Sequence, residues 1–263
     1  MMVESFKRAG FTGPDVRYTL EEGDPFAAIT RLGASREDYV ILVHQDVRCD
    51  LGYSLQDLAG RLEELTQFDS TWAVAGNAGV TRNLTYVRHL SDLYGASFET
   101  KLPRKVVSLD ENFLVLRTAR GPRCSSALSG VHLYGSDVCL TGASDGSSSY
   151  VIDFRISHLG GTLHRAGVDR PSEQAFEDFW SPHYAFKIYI RASGTSVLSR
   201  YTIVRRMFGS RSRRIISRIA KKVGQVRRAL AGRRETFPSR PVPTADSADR
   251  SPRSRGGRPD RVP

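Results

Sequence analysis

Apolar residues recur along this chain with two periods, and the switches between them mark the elements. Leu55, Leu58, Leu62 and Leu65 return every three or four residues, which predicts an amphipathic helix. Residues 2–9 predict a short helix ended by Gly10. Asp24 predicts the cap of a helix over Pro25–Leu32, because proline suits a first helical turn. Tyr39–Val43 and Trp72–Gly76 are unbroken apolar runs of strand length, and Val16–Leu20 reads as a further strand. Val106–Leu116 predicts two strands hinged at Asp110, Glu111 and Asn112, followed by an irregular stretch over 118–130. A helix is expected over Tyr134–Ala143, with Ser136 able to cap it, and a turn at Asp145-Gly146. Tyr150–Ser157 sets Ile152, Phe154 and Ile156 against Val151, Asp153, Arg155 and Ser157, a half-buried strand that delivers His158. The strand–helix–strand succession over 39–76 implies a parallel sheet with right-handed crossovers, an α/β fold.

Charge divides the chain. Residues 191–263 hold 20 Lys/Arg and 4 Asp/Glu, a net +16, which leaves 19 basic and 24 acidic residues in 1–190, a net −5. The expected organisation is a domain over 1–190, a basic amphipathic helical segment over 191–235, and a disordered tail over 236–263, rich in Pro, Ser, Arg and Gly. Apolar residues at 204, 208, 215, 219, 223, 226 and 230 make a helical stripe among arginines and lysines. Such a segment (198–234) fits an anionic membrane surface, and it also fits RNA or another acidic partner, or a solvated helix packed by its stripe. No apolar run reaches 18 residues, and the N-terminus carries no hydrophobic leader core. Cys49, Cys124 and Cys139 are scattered without metal-type spacing, pointing to a reducing cytoplasm, with a peripheral place at the inner membrane face if the basic segment docks there.

The candidate chemistry starts where Tyr39–Val43 ends in His44, Gln45 and Asp46. Side chains alternate along a strand, so His44 and Asp46 share a face. An imidazole beside a carboxylate at a strand's carboxyl end is a half-site for a divalent ion that also grips phosphate, or simply a strand surfacing into a loop. Asp110 and Glu111 flank a hinge, Asp137 begins a helix where it could also be only a cap, and His158 ends a strand. His132 and Trp180 read as acceptor-side or structural residues. His89, His164 and His183 suggest no partner.

Four segments carry a resemblance: Val43-His-Gln-Asp-Val47, Val107-Ser-Leu-Asp110, Gly130-Val-His-Leu-Tyr-Gly-Ser-Asp-Val-Cys-Leu140 and Ile156-Ser-His-Leu-Gly160. In this order they resemble the glycosyltransferase-like branch of the family-2 nucleotide-sugar transferases, across about residues 39–190. The third is the most specific. The resemblance implies a GT-A-like fold: a mostly parallel Rossmann-type sheet flanked by helices. Family members carry a nucleotide-holding first strand; only 43 residues precede His44 and no strong first strand is visible among them, which fits either a start further upstream or a lost base pocket. It implies transfer of a sugar from a nucleotide-diphosphate donor to a glycan or lipid-linked acceptor, by a single inverting displacement. His44, Asp46 and Asp110 would serve the donor and its phosphates. His44, Asp46 and His158 would hold Mn2+ or Mg2+. Asp137 would be the catalytic base, kept ionised by its helix N-terminus. Glu111 departs from the small residue usual after Asp110. The competing reading is a degenerate, non-catalytic fold that binds a membrane or nucleic acid through its basic segment.

Overall fold

A computed structural model of the chain describes residues 2–21, 23–93, 95–160, 169–191 and 194–208. The chain opens with α1 (Met2–Arg8) and α2 (Pro25–Gly33), then β1 (Tyr39–Val43), β2 (Val47–Arg48) and α3 (Leu55–Phe68). Strands β3 (Trp72–Gly76), β4 (Ala78–Val80), β5 (Tyr86–Arg88), β6 (Leu90–Asp92), β7 (Gly95–Ser97), β8 (Arg104–Val106), β9 (Ser108–Leu109) and β10 (Phe113–Arg117) follow. The remainder is α4 (Tyr134–Ser144), β11 (Ser148–Val151), β12 (Ser157–His158), α5 (Arg170–Trp180), β13 (Lys187–Ile190), β14 (Thr195–Leu198) and α6 (Thr202–Met207).

Local chemistry explains the helices. In α2 the Asp24 carboxylate accepts from Phe26 N–H, and Pro25 starts the first turn. In α3, Ser54 and Asp57 form a reciprocal capping box, and Leu58, Leu62 and Leu65 are buried on one face. Each of those leucines contributes about 2 kcal/mol of transfer free energy. Helix α4 differs from expectation at its start. Leu133, at φ +76°, precedes the first turn with no side-chain cap, and Ser136 lies buried inside the helix.

The sheet overturns the mostly parallel, Rossmann-type GT-A expectation. The order is β1-β10-β3-β11-β8, and β10 runs antiparallel to both of its neighbours. Only β3 and β11 pair in parallel, and β8 closes the edge antiparallel. The sheet is therefore mixed. Strands β1 and β3, successive in the chain among the strands of this sheet, are parted by β10, which arrives about forty residues after β3. Three small sheets flank it, ordered β2-β12-β6-β7, β5-β4-β9 and β13-β14.

Strand β10 feeds both cores. Leu114 and Leu116 face a cluster with Ile29, Val138, Leu140 and Phe176, under α2, α4 and α5. Phe113 and Val115 face a cluster with Phe6, Leu58, Leu62 and Phe154, under α1 and α3. Two further expectations change. Val16–Leu20 forms no strand, and Leu20 is exposed. Tyr150–Ser157 is not continuous: Phe154 N–H bonds Ile152 O, and this tight turn carries the chain from β11 to β12 in another sheet. Strands β13 and β14 pair antiparallel, with Ile190 opposite Thr195. Among the described residues no helix is long and apolar enough to cross a membrane. The expected tail over 236–263, and the basic segment beyond residue 208, lie outside the described residues.

Candidate metal centre

Backbone pairing brings the three predicted ligands together. The antiparallel pairing of β1 with β10 sets Val43 opposite Phe113, and His44 N–H continues the ladder to Asn112 O. The carboxyl end of β1 thus meets the Asp110–Asn112 hinge. Val47 N–H closes a turn back to His44 O, and β2 then pairs with β12, Val47 opposite His158. Leu159 N–H donates to Asp46 O at 2.9 Å. His44, Asp46 and His158 each offer a ligand atom, all within 4.8 Å of one another. His158 Nε2 lies 3.4 Å from Asp46 Oδ2, and His158 is mostly buried. Two imidazoles and a carboxylate at this separation can share one divalent ion.

A second layer orients His44. Leu42 packs on the cluster beneath α4, and two residues further His44 meets Tyr134, the first residue of α4. His44 Nε2 and the Tyr134 hydroxyl are 2.6 Å apart, and that hydroxyl donates to Glu111 O at 3.3 Å. A hydroxyl proton given to Glu111 would make His44 Nε2 the protonated nitrogen and leave the Nδ1 lone pair for a metal.

Glu111 ties this layer to the start of α4. Its Oε1 accepts from Gly135 N–H at 3.4 Å, and its Oε2 lies 3.9 Å from His132 Nδ1. Glu111 pulls the His132 pKa above its ordinary value, against partial desolvation. Gly135 permits the approach: a Cβ there would lie 2.8 Å from Leu109 O and 3.0 Å from Glu111 Cγ.

The remaining predicted residues have their own partners. Asp110 is held by Glu111 N–H and the Tyr86 hydroxyl, through different oxygens. Asp137 is fully buried. Ser125 N–H donates to its Oδ2 at 2.6 Å and the Trp180 indole N–H to its Oδ1 at 2.7 Å. Burial raises the Asp137 pKa, and the opposing pull of Ser125, Trp180 and Cys124 does not cancel it. Desolvation is the largest influence on this carboxyl and sets the direction of its shift. Trp180 is core, packed edge-on against Phe179. His89, for which the sequence suggested no partner, is buried, with Nε2 2.8 Å from Asp153 Oδ1 and Nδ1 accepting from Glu99 N–H. Sequence reasoning gave Tyr134 no role, although it stands inside the most specific of the four segments.

No family model matches the chain. A curated protein of Fuscovulum blasticum, named ATP synthase subunits region ORF 6, is 32% identical over 198 residues, covering 69% of this chain and 79% of the relative. That name states no activity. At this identity and coverage, the chain belongs to the same family as the ATP synthase subunits region ORF 6 protein of Fuscovulum blasticum.

Proposed function

We propose that the protein is a metal-dependent glycosyltransferase that moves a sugar from a nucleotide-diphosphate donor to a hydroxyl of a glycan or lipid-linked acceptor, with inversion. One observation carries the reading: His44, Asp46 and His158 meet although 114 residues separate the first from the last. The donor set narrows the ion. Two imidazoles per carboxylate suit Mn2+ better than Mg2+, which prefers oxygen throughout. A bound ion supplies charge that offsets what gathers on the departing diphosphate.

The protein's own residues do the rest. Asp46 and His158 fix the donor end, and Tyr134 holds the His44 ring. Proton transfer falls to His132 rather than Asp137. Both Asp137 oxygens are engaged by Ser125 and Trp180 in the core. His132 is partly exposed and stands against Glu111. With Nδ1–H turned toward Glu111, His132 Nε2 takes the acceptor's hydroxyl proton, and Glu111 stabilises the imidazolium that forms. Asp137 and Trp180 are scaffold in this reading.

The test is a thermal-shift screen of the full chain against UDP, GDP, CDP and dTDP sugars with and without Mn2+, followed by a turnover assay on the hits. A donor that stabilises only with Mn2+, and is consumed, supports the reading. No stabilisation by any nucleotide sugar in Mn2+ rejects it.

A further inference from the structure

We propose that the outward face of α6 is a docking surface for an anionic lipid bilayer, a property independent of the sugar-transfer reading. Helix α6 is pinned to the domain on one side. Arg205 Nη1 binds Asp178 Oδ1 of α5 at 2.6 Å, Val204 is partly buried, and the Phe208 ring meets Phe186 at 5.8 Å. Successive side chains on a helix are about 100° apart, so Ile203 and Met207 stand together, opposite Arg205. They are 71% and 73% exposed. Tyr201, the residue that precedes the helix, adds exposed apolar area at its start. Withdrawing this area from water is favourable in proportion to its size, and among the described residues nothing covers these two side chains.

The charge beside the patch, and in the sequence that follows it, selects the occupant. Arg200 and Arg206 flank it, both exposed, and the sequence from 211 to 234 carries ten more Lys/Arg with no Asp or Glu. A second copy of the chain would set these like charges against one another. A nucleic acid would satisfy the arginines and leave Ile203 and Met207 without an apolar partner. A bilayer with anionic headgroups serves both, taking the arginines at the headgroups and the two side chains below them. The apolar stripe read from the sequence began at 204 and 208; in the fold those two positions face the domain, and 203 and 207 face out.

The experiment is co-sedimentation of the full chain with phosphatidylcholine vesicles, with and without phosphatidylglycerol. Wild type should bind only the anionic vesicles. The Ile203→Ser/Met207→Ser variant, whose melting temperature should match wild type because both side chains are exposed, should bind on the order of tenfold more weakly. A fluorophore on Met207→Cys should shift to the blue on anionic vesicles, a readout that does not rely on the double variant. Equal binding by wild type and variant, an unshifted fluorophore, or sedimentation of wild type with neither vesicle overturns the proposal. So does a wild-type dimer in lipid-free buffer that becomes a monomer in the serine variant, which would make the face an interface between copies.

Discussion

The His44 ring and the Tyr134 hydroxyl lie 2.6 Å apart although 90 residues separate them in the chain. That bond joins the end of β1 to the first residue of α4, and through Tyr134 it joins the ligand cluster to Glu111. Removing the Tyr134 hydroxyl leaves the ring free to turn and both nitrogens open to protonation. Tyr134→Phe should therefore weaken Mn2+ binding about 10- to 100-fold, as loss of an outer hydrogen-bond partner does. Manganese titration followed by electron paramagnetic resonance reads this directly. Unchanged affinity would mean that His44 needs no orientation.

Glu111→Gln separates the proton-transfer role from structure. Glu111 raises the His132 pKa. If neutral His132 is the base, turnover rises as pH climbs through that raised value. The variant should then show its acid limb at lower pH, with kcat down on the order of 10- to 100-fold and KM for the donor little changed. Stability moves with the opposite sense. A raised histidine pKa stabilises the fold below about 6.5, its ordinary unfolded value, and that contribution is lost as pH rises through the folded value. Wild type should lose this increment on going from acid to alkaline buffer, and Glu111→Gln should not. A pH–rate profile with an unmoved limb would remove His132 from the chemistry.

Asp137→Asn should behave as a core lesion. One carboxylate oxygen becomes an amide facing Ser125 N–H or the Trp180 indole N–H, and a buried donor is left facing a donor. A loss of about 1–3 kcal/mol is expected from such a group. Denaturant unfolding measures it, and Mn2+ affinity should stay within about twofold of wild type, because Asp137 touches none of the three ligands. A fall in turnover at unchanged stability would return the base role to Asp137.

Gly135→Ala inverts a familiar rule. Inside a helix, alanine is ordinarily favoured over glycine by about 1 kcal/mol. Here the new methyl would press on Leu109 O and Glu111 Cγ, so the hinge that carries Glu111 must shift. A net loss of about 1–3 kcal/mol is expected, with weaker Mn2+ binding through the Glu111–Tyr134 link. Stabilisation by alanine would show that the hinge yields freely.

What the sequence made legible follows from the range of the interactions. Helices α2 and α3 were readable because their caps, Asp24 and the Ser54–Asp57 box, lie within three residues of what they cap, and the leucine spacing of α3 is local. The clustering of His44, Asp46 and His158 was readable because His44 and Asp46 end one apolar run and His158 follows another. The sheet was misread because the partner of β1 is β10, and chain order favours neighbours such as β3. The alternation of Ile152, Phe154 and Ile156 is real and all three are buried, but the turn at Phe154 is a backbone event with no glycine or proline to announce it. Asp137 kept its place in the first turn of α4, while its burial depended on Ser125 and Trp180, one before the helix and one forty-three residues beyond.

Calorimetric titration of the full chain with Mn2+, beside His158→Ala, tests the central claim most directly. The account predicts one Mn2+ site per chain in wild type, lost in His158→Ala while the variant still melts cooperatively. A folded wild-type protein that takes up no divalent ion, or a His158→Ala variant that binds Mn2+ as wild type does, would contradict it.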